Sequence, residues 1–433
     1  MRLATPLESA VLVVAMMAAA CADRDVTAVR AVSTERPRFT VDPSSRVLAF
    51  VSKLSTTDVL NTADNTLETT IATQNPGAIA IAPNGRYAYR SENGLGEIAV
   101  IRTSDTRVVD SIAMALQVVQ IVFAPDGASA YAAGSGDDPA ASGVVFIRTS
   151  DNTVQATVPV SSPAGIAVSP DGSRVYVTDP REGQVAVVNT SSRTIERFLP
   201  DIYTPEGIIV APDGLHVYVA NFSGNSVLVM NTNDYSGSLV PVGLQPTRLA
   251  IAPDGTRLYV TNSGDGTVSV INTSTNAVIA TVAVDTDPSS IAVTPDGSRV
   301  YVGNILDGSV THAGSVSVIA TSTNTVFATL ASFPFPVDIA IATVPQPTPT
   351  EATTDLEDAV SDLSGLGAGL SNSLLTKLNA ALSAIAAGDV ATACQALQDF
   401  INEVNAQAGK KISSADAAIL IDDANAIRAQ LGC

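Results

Sequence analysis

Leu249-Ala250-Ile251-Ala252-Pro253-Asp254-Gly255, followed by Leu258-Tyr259-Val260-Thr261-Asn262, is the stretch on which the fold turns. It reads as an apolar strand, a tight turn, and a second strand ending in Tyr-Val-Thr-Asn. The pattern recurs at Ile166 to Pro170 with Tyr176 to Asp179, and at Ile291 to Pro295 with Tyr301 to Asn304. Weaker copies turn at Pro83, Pro125 and Pro212, and a degenerate one at Pro43. The anchor prolines at 43, 83, 125, 170, 212, 253 and 295 are 40, 42, 45, 42, 41 and 42 residues apart. A fixed period of this length marks a repeat architecture, and seven anchors mean seven units.

Each unit carries four strand signals. In the one quoted, strand a is Leu249 to Ala252, b is Arg257 to Thr261, c is Thr267 to Asn272 and d is Ala277 to Val284. Four short strands per repeat are the arithmetic of a propeller blade, so the expected fold is an all-β seven-bladed β-propeller over 38–343. An eighth strand a, Val337 to Thr343, follows the seventh unit with nothing behind it, while the first unit has a weak one of its own at Arg38 to Val41. Val337 to Thr343 is therefore expected to complete the first blade and close the ring, removing an open edge.

The Tyr-Val-Thr-Asn strand, the Pro-Asp-Gly turn and the spacing near 42 resemble the YVTN family of bacterial propeller proteins. The chain has no Trp, so the Trp-Asp signature of WD40 repeats is absent. That resemblance implies a surface or periplasmic protein that binds rather than catalyses.

Flanking segments add to the organisation. Arg2, the apolar run Val11 to Ala20 and then Cys21 have the form of an export signal over 1–20. The segment resembles a bacterial lipoprotein signal, which implies that Cys21 is lipidated and that 21–37 is a tether; plain secretion after Ala20 is the alternative. The expected location is thus the cell envelope, anchored or secreted, with contact to a membrane only through the lipid. After the propeller, Val344-Pro345-Gln346-Pro347 and the residues to 351 read as a stiff linker. The period then shifts to about 3.6, and 352–433 reads as a bundle of four helices. Its first helix is expected near Thr354 with Glu357 completing a capping box, the third after the cap Asp389, the fourth near Ser413. Cys394, early in the third helix, and Cys433, just past the fourth, are brought together by an antiparallel pair, so a Cys394–Cys433 disulfide is expected. Leu366 to Leu370, Lys377-Leu-Asn-Ala-Ala and Phe400-Ile-Asn-Glu-Val-Asn resemble the FIMAH module of secreted bacterial proteins, which implies interaction at the cell surface.

Composition excludes some functions. A formal charge of −19 repels phosphates, so no nucleic-acid partner is expected. The chain holds two His, His216 and His312, and lacks the Gly-x-Ser-x-Gly and His-Glu-x-x-His motifs; no His, Glu or Asp set is read as facing the central channel. No catalytic residue, metal site or cofactor is assigned, apart from a weak calcium option at Asp137, Asp138 and Asp265 beside glycines.

In a propeller the a–b and c–d turns share one face, and the b–c and d–a loops share the other. The first set is uniform and explained by turn chemistry. The second is variable, with long b–c loops at 134–143 and 304–314. Recognition on a rigid scaffold belongs in such loops. The candidate binding face is therefore Arg90, Glu92, Asp137, Asp138, Asp179, Arg181, Tyr203, Glu206, Asn221, Phe222, Asn262, Asn304, Asp307 and His312. The function expected is a non-enzymatic envelope scaffold that holds a protein, peptide or glycan there. The alternatives are a propeller enzyme, such as a lactonase or dehydrogenase subunit, and a surface-layer or adhesion component.

Overall fold

A computed structural model describes residues 46–136, 141–305, 314–361, 363 and 366–433. The export signal, Cys21, the strand at Arg38 to Val41 and the anchor Pro43 lie outside the described residues. Within them the strands form seven four-stranded sheets. The blade built on the quoted repeat pairs Pro246–Ile251, Arg257–Asn262, Thr267–Asn272 and Ala277–Ala283, each antiparallel to the next.

Blade 1 is assembled from both ends of the array. Asp338–Val344 is its innermost strand and pairs with Arg46–Lys53 in the register Phe50↔Ala340 and Val51↔Ile339. The ring is closed by the strand that the repeat count left over.

The core lies between blades. Leu258, Tyr259 and Val260 are fully buried on strand b, as are Val268, Val270 and Ile271 on strand c. Strands buried on both faces require such unbroken apolar runs. The repeated tyrosine also links neighbours: the Tyr301 hydroxyl meets the Asn65 side chain in the c–d turn of blade 1, and Tyr89 meets Asn152 in that of blade 3. Both asparagines have positive φ, 61° and 52°, a conformation Asn tolerates better than most residues.

The uniform face is held by its own turn chemistry. Asp254 Oδ1 accepts the Thr256 backbone N–H at 2.9 Å, and Gly255 takes φ +72°. The Thr273 hydroxyl, from the c–d turn, donates to the Gly255 carbonyl at 2.6 Å. The same threonine-to-glycine bond recurs at Thr103–Gly85, Thr149–Gly127, Thr190–Gly172, Thr232–Gly214 and Thr321–Gly297. A Cβ on Gly255 would lie 3.6 Å from the Pro212 ring of the preceding blade, so the turn motif also fits blade to blade.

Four helices follow: α1 Pro349–Ser361, α2 Ala368–Ala386, α3 Val390–Gln407 and α4 Ser414–Leu431. Two boundaries differ from the sequence expectation. Val344 ends the closing strand rather than opening a linker, and α1 begins at Pro349 rather than near Thr354. The capping box is Thr348 with Glu351, not Thr354 with Glu357: Thr348 N–H donates to Glu351 Oε2 at 2.8 Å, and Glu351 N–H donates to Thr348 Oγ1 at 3.3 Å. Proline is favoured at the first helical position, where its missing N–H costs nothing, so the end of the proline run starts the helix.

Leu356, Leu374, Leu378, Leu397, Phe400, Leu420 and Ile427 form one bundle core. Asp389 and Ser413 cap α3 and α4 by accepting from Thr392 N and Asp416 N. The Cys394–Cys433 disulfide is present, with Cα atoms 6.1 Å apart and a sequence separation of 39. In the chain-entropy account a loop of that size stabilises by about 4 kcal/mol. Replacing Cys394 by Ser should shift the denaturant midpoint of the helical far-UV signal down by that order, with the strand signal less affected.

Candidate functional site

The variable face is organised by the residue that ends each strand b. In blades 5, 6 and 7 this is Asn221, Asn262 and Asn304, all buried. Their amide nitrogens donate inward to strand c: Asn221 to Ser226 at 3.1 Å, Asn262 to Ser269 at 2.9 Å, and Asn304 to Ser317 at 3.0 Å. Asp179, in blade 4, accepts from Ser161 at 2.7 Å. These four side chains are buried and bond within the ring.

Arg90 and Glu92 also lie inside the blade rather than on its surface. Arg90 stands where blades 4 to 7 have Val, in Tyr89-Arg90-Ser91-Glu92, and is wholly buried. Its guanidinium bonds Glu92, which also accepts the Gln74 backbone N–H at 2.7 Å. Burial pulls the Arg90 pKa down and the Glu92 charge holds it up.

Arg181 and Tyr203 are exposed, Tyr203 at 73%, and Phe222 is half-buried beside them. Phe222 N–H donates to the Thr204 carbonyl at 3.2 Å, which joins the two loops. Thr204 holds φ +48°, and the residues before the prolines that open strand a in blades 2, 6, 7 and 1 are likewise positive: Asn75, Gln245, Asp287 and Phe335. Left-handed backbone at a β-branched residue stores strain, and here it rims the channel. Asp137, Asp138, Asp307 and His312 lie outside the described residues. Asp265 accepts the Leu244 N–H at 2.6 Å.

The channel wall corrects the sequence reading. Glu206, assigned there to a loop, lies on the innermost strand Pro205–Val210, and Asp338 lies on the innermost strand of blade 1. With Arg248, on Pro246–Ile251, they are the charged residues of the described innermost strands. All three sit at the first or second position after the strand-opening proline, at the end of the channel nearest the d–a loops. Asp338 Oδ2 accepts the Ile79 N–H of blade 2 at 2.9 Å, and Gln120 does the same for Ile166 of blade 4 at 3.0 Å. Burial pushes the Asp338 carboxyl up to about 6 and raises that of Glu206, and the Arg248 cation draws both back down. Among the described residues the Arg248 guanidinium makes no ion pair, and no three His, Cys, Asp or Glu side chains converge as a metal-binding group. Aligning the repeats on strand a would have exposed the trio, because other blades carry Gly77, Ala164 or Ser289 at the first position and Ala78, Gly165 or Ser290 at the second.

Three solved structures share the propeller at 14–19% identity, which shows the fold alone. Hydrazine synthase of Kuenenia stuttgartiensis is 19% identical, with 69% of this chain and 99% of that one covered and a TM-score of 0.56. A functionally unknown protein from Desulfotomaculum acetoxidans is 16% identical over 69% and 99%, with a TM-score of 0.60. A putative 6-phosphogluconolactonase from Bacteroides uniformis is 14% identical over 69% and 100%, with a TM-score of 0.57. No curated protein matches the chain. Residues 354–429 match the FIMAH domain. Residues 40–264, more than half of the chain, match the SMP-30/Gluconolactonase/LRE-like region, and the protein belongs to that family of propellers.

Proposed function

We propose that the protein is a non-catalytic binding propeller of the cell envelope, holding a protein, peptide or glycan at the channel mouth. The observation that carries this is Arg248. Its guanidinium carries five N–H donors, lies within electrostatic reach of Glu206 and Asp338, and forms an ion pair with neither. An unspent cation suits a polar ligand that brings its own acceptors.

Chain geometry supports an outward orientation of that face. Arg46 pairs with Val344, so the N-terminal segment enters the ring and the C-terminal segment leaves it at the same, a–b/c–d, face. A lipid on Cys21 would then hold that face toward the membrane and leave the channel mouth pointing away. Capture from envelope extract tests the proposal. Arg248→Ala should lose the partners at least tenfold, while Thr275→Ala on the opposite face keeps them; equal capture by both would count against the channel mouth.

A second reading, lactone hydrolysis, is favoured by the family match. Proteins of this family often bind a metal ion. The described residues do not fit one, since the channel offers two carboxylates under the influence of a guanidinium and no third acidic, His or Cys side chain. Lactone turnover that Glu206→Gln abolishes would establish this second reading instead.

A further inference from the structure

The helical bundle is seated on the ring at one blade. Elsewhere in the array the a–b turn carries an aspartate, at Asp126, Asp171, Asp213, Asp254 and Asp296, but blade 2 has Pro83-Asn84-Gly85-Arg86. The turn thus changes from negative to positive where the acidic face of α1 meets it. Arg86 pairs with Glu351 of α1. Arg102, at the end of strand c of blade 2, lies 2.6 Å from Asp355 and 3.5 Å from Asp358 of α1, and 2.7 Å from its own Asp105. The Asp355 side chain is 2% exposed, so this is a closed contact and not a surface pairing.

The position of that seat gives it a role. Only Pro345, Gln346, Pro347 and Thr348 separate the closing strand Asp338–Val344 from α1. The closing strand belongs to blade 1, and α1 sits on blade 2. The same seam is tied twice more: Asp338 accepts from Ile79 of blade 2, and a Cβ on Gly85 would lie within 3.0 Å of the Pro345 ring and closer to the Thr343 carbonyl. We propose that α1 and its bundle are a clasp across the ring's seam, holding the closing strand in blade 1 by ion-pairing α1 to the basic turn of blade 2.

The clasp carries an excess of negative charge. Arg102, Arg107 and Arg86 face Asp105, Glu351, Asp355, Glu357 and Asp358. Burial, then Asp105 and Asp358, push the Asp355 carboxyl up to about 7 against the pull of Arg102. Docking therefore costs the ionised carboxyl its water, a cost that grows as pH rises from the free aspartate value toward 7, and the arginine cluster offsets it.

Hydrogen exchange on the full chain, read peptide by peptide, tests this. Arg102→Ala should speed exchange at least tenfold in 338–344 and 46–53 and leave blade 5, 205–241, as in the wild type. The charge-swapped pair Arg102→Asp with Asp355→Arg should restore protection. Unchanged exchange in the closing strand of Arg102→Ala would overturn the clasp. So would an equal rise in every blade, which would make Arg102 a general determinant of the fold, or a swapped pair as loose as the single variant.

Discussion

A chain cut after Pro336 is expected to lose the propeller, whereas one cut after Thr348 is expected to keep it. The segment between them holds the closing strand, and its loss strips the innermost partner from Arg46–Lys53. Leu48, Phe50 and Val51, each no more than 1% exposed, would then lie along an unpaired edge. Removing one such side chain from a packed site costs about 2–5 kcal/mol, and several are exposed together here. An apolar strand with open N–H and C=O groups also recruits other chains. Gel filtration should find the shorter product aggregated or unfolded and the longer one monodisperse with a cooperative melt. A monodisperse, cooperatively melting chain ending at Pro336 would show that blade 1 does not need its borrowed strand.

Glu92→Ala is expected to destabilise the ring by about 3–5 kcal/mol, because it leaves the Arg90 guanidinium buried without its counter-charge. The double change Arg90→Val with Glu92→Asn should be near wild type or above it. It installs the residues that Val260 and Asn262 provide in blade 6, and replacing a buried ion pair by well-fitting neutral groups is often neutral or stabilising. Denaturant unfolding of the three proteins decides the matter. A single variant within 1 kcal/mol of wild type would mean that water reaches Arg90 readily.

The parts of this architecture that were legible in the sequence are those that repeat. Pro253-Asp254-Gly255 and Tyr259 recur at the same spacing, so blade number, turn chemistry and the closing strand followed from counting. Cys394 and Cys433 were legible because two helices fix where their ends meet. What stayed hidden depends on a single blade or on distant strands. The end of strand b reads as a loop boundary, yet Asn221, Asn262 and Asn304 turn inward to strand c, and Arg90 is a charge at a position that is apolar in blades 3 to 7. Glu206, Arg248 and Asp338 are separated by tens of residues and share the channel because the innermost strands of blades 5, 6 and 1 all line it. Thr348 and Glu351 were masked by the proline run that their capping box ends.

Binding at the channel mouth through Arg248 is the proposed activity. Equilibrium titration of the full-length protein against immobilised peptide and glycan arrays, wild type beside Arg248→Ala, tests it most directly. The expected result is a defined set of ligands whose affinity falls at least tenfold in Arg248→Ala, about 1.4 kcal/mol or more of lost binding. Ligands held equally by both proteins would contradict it.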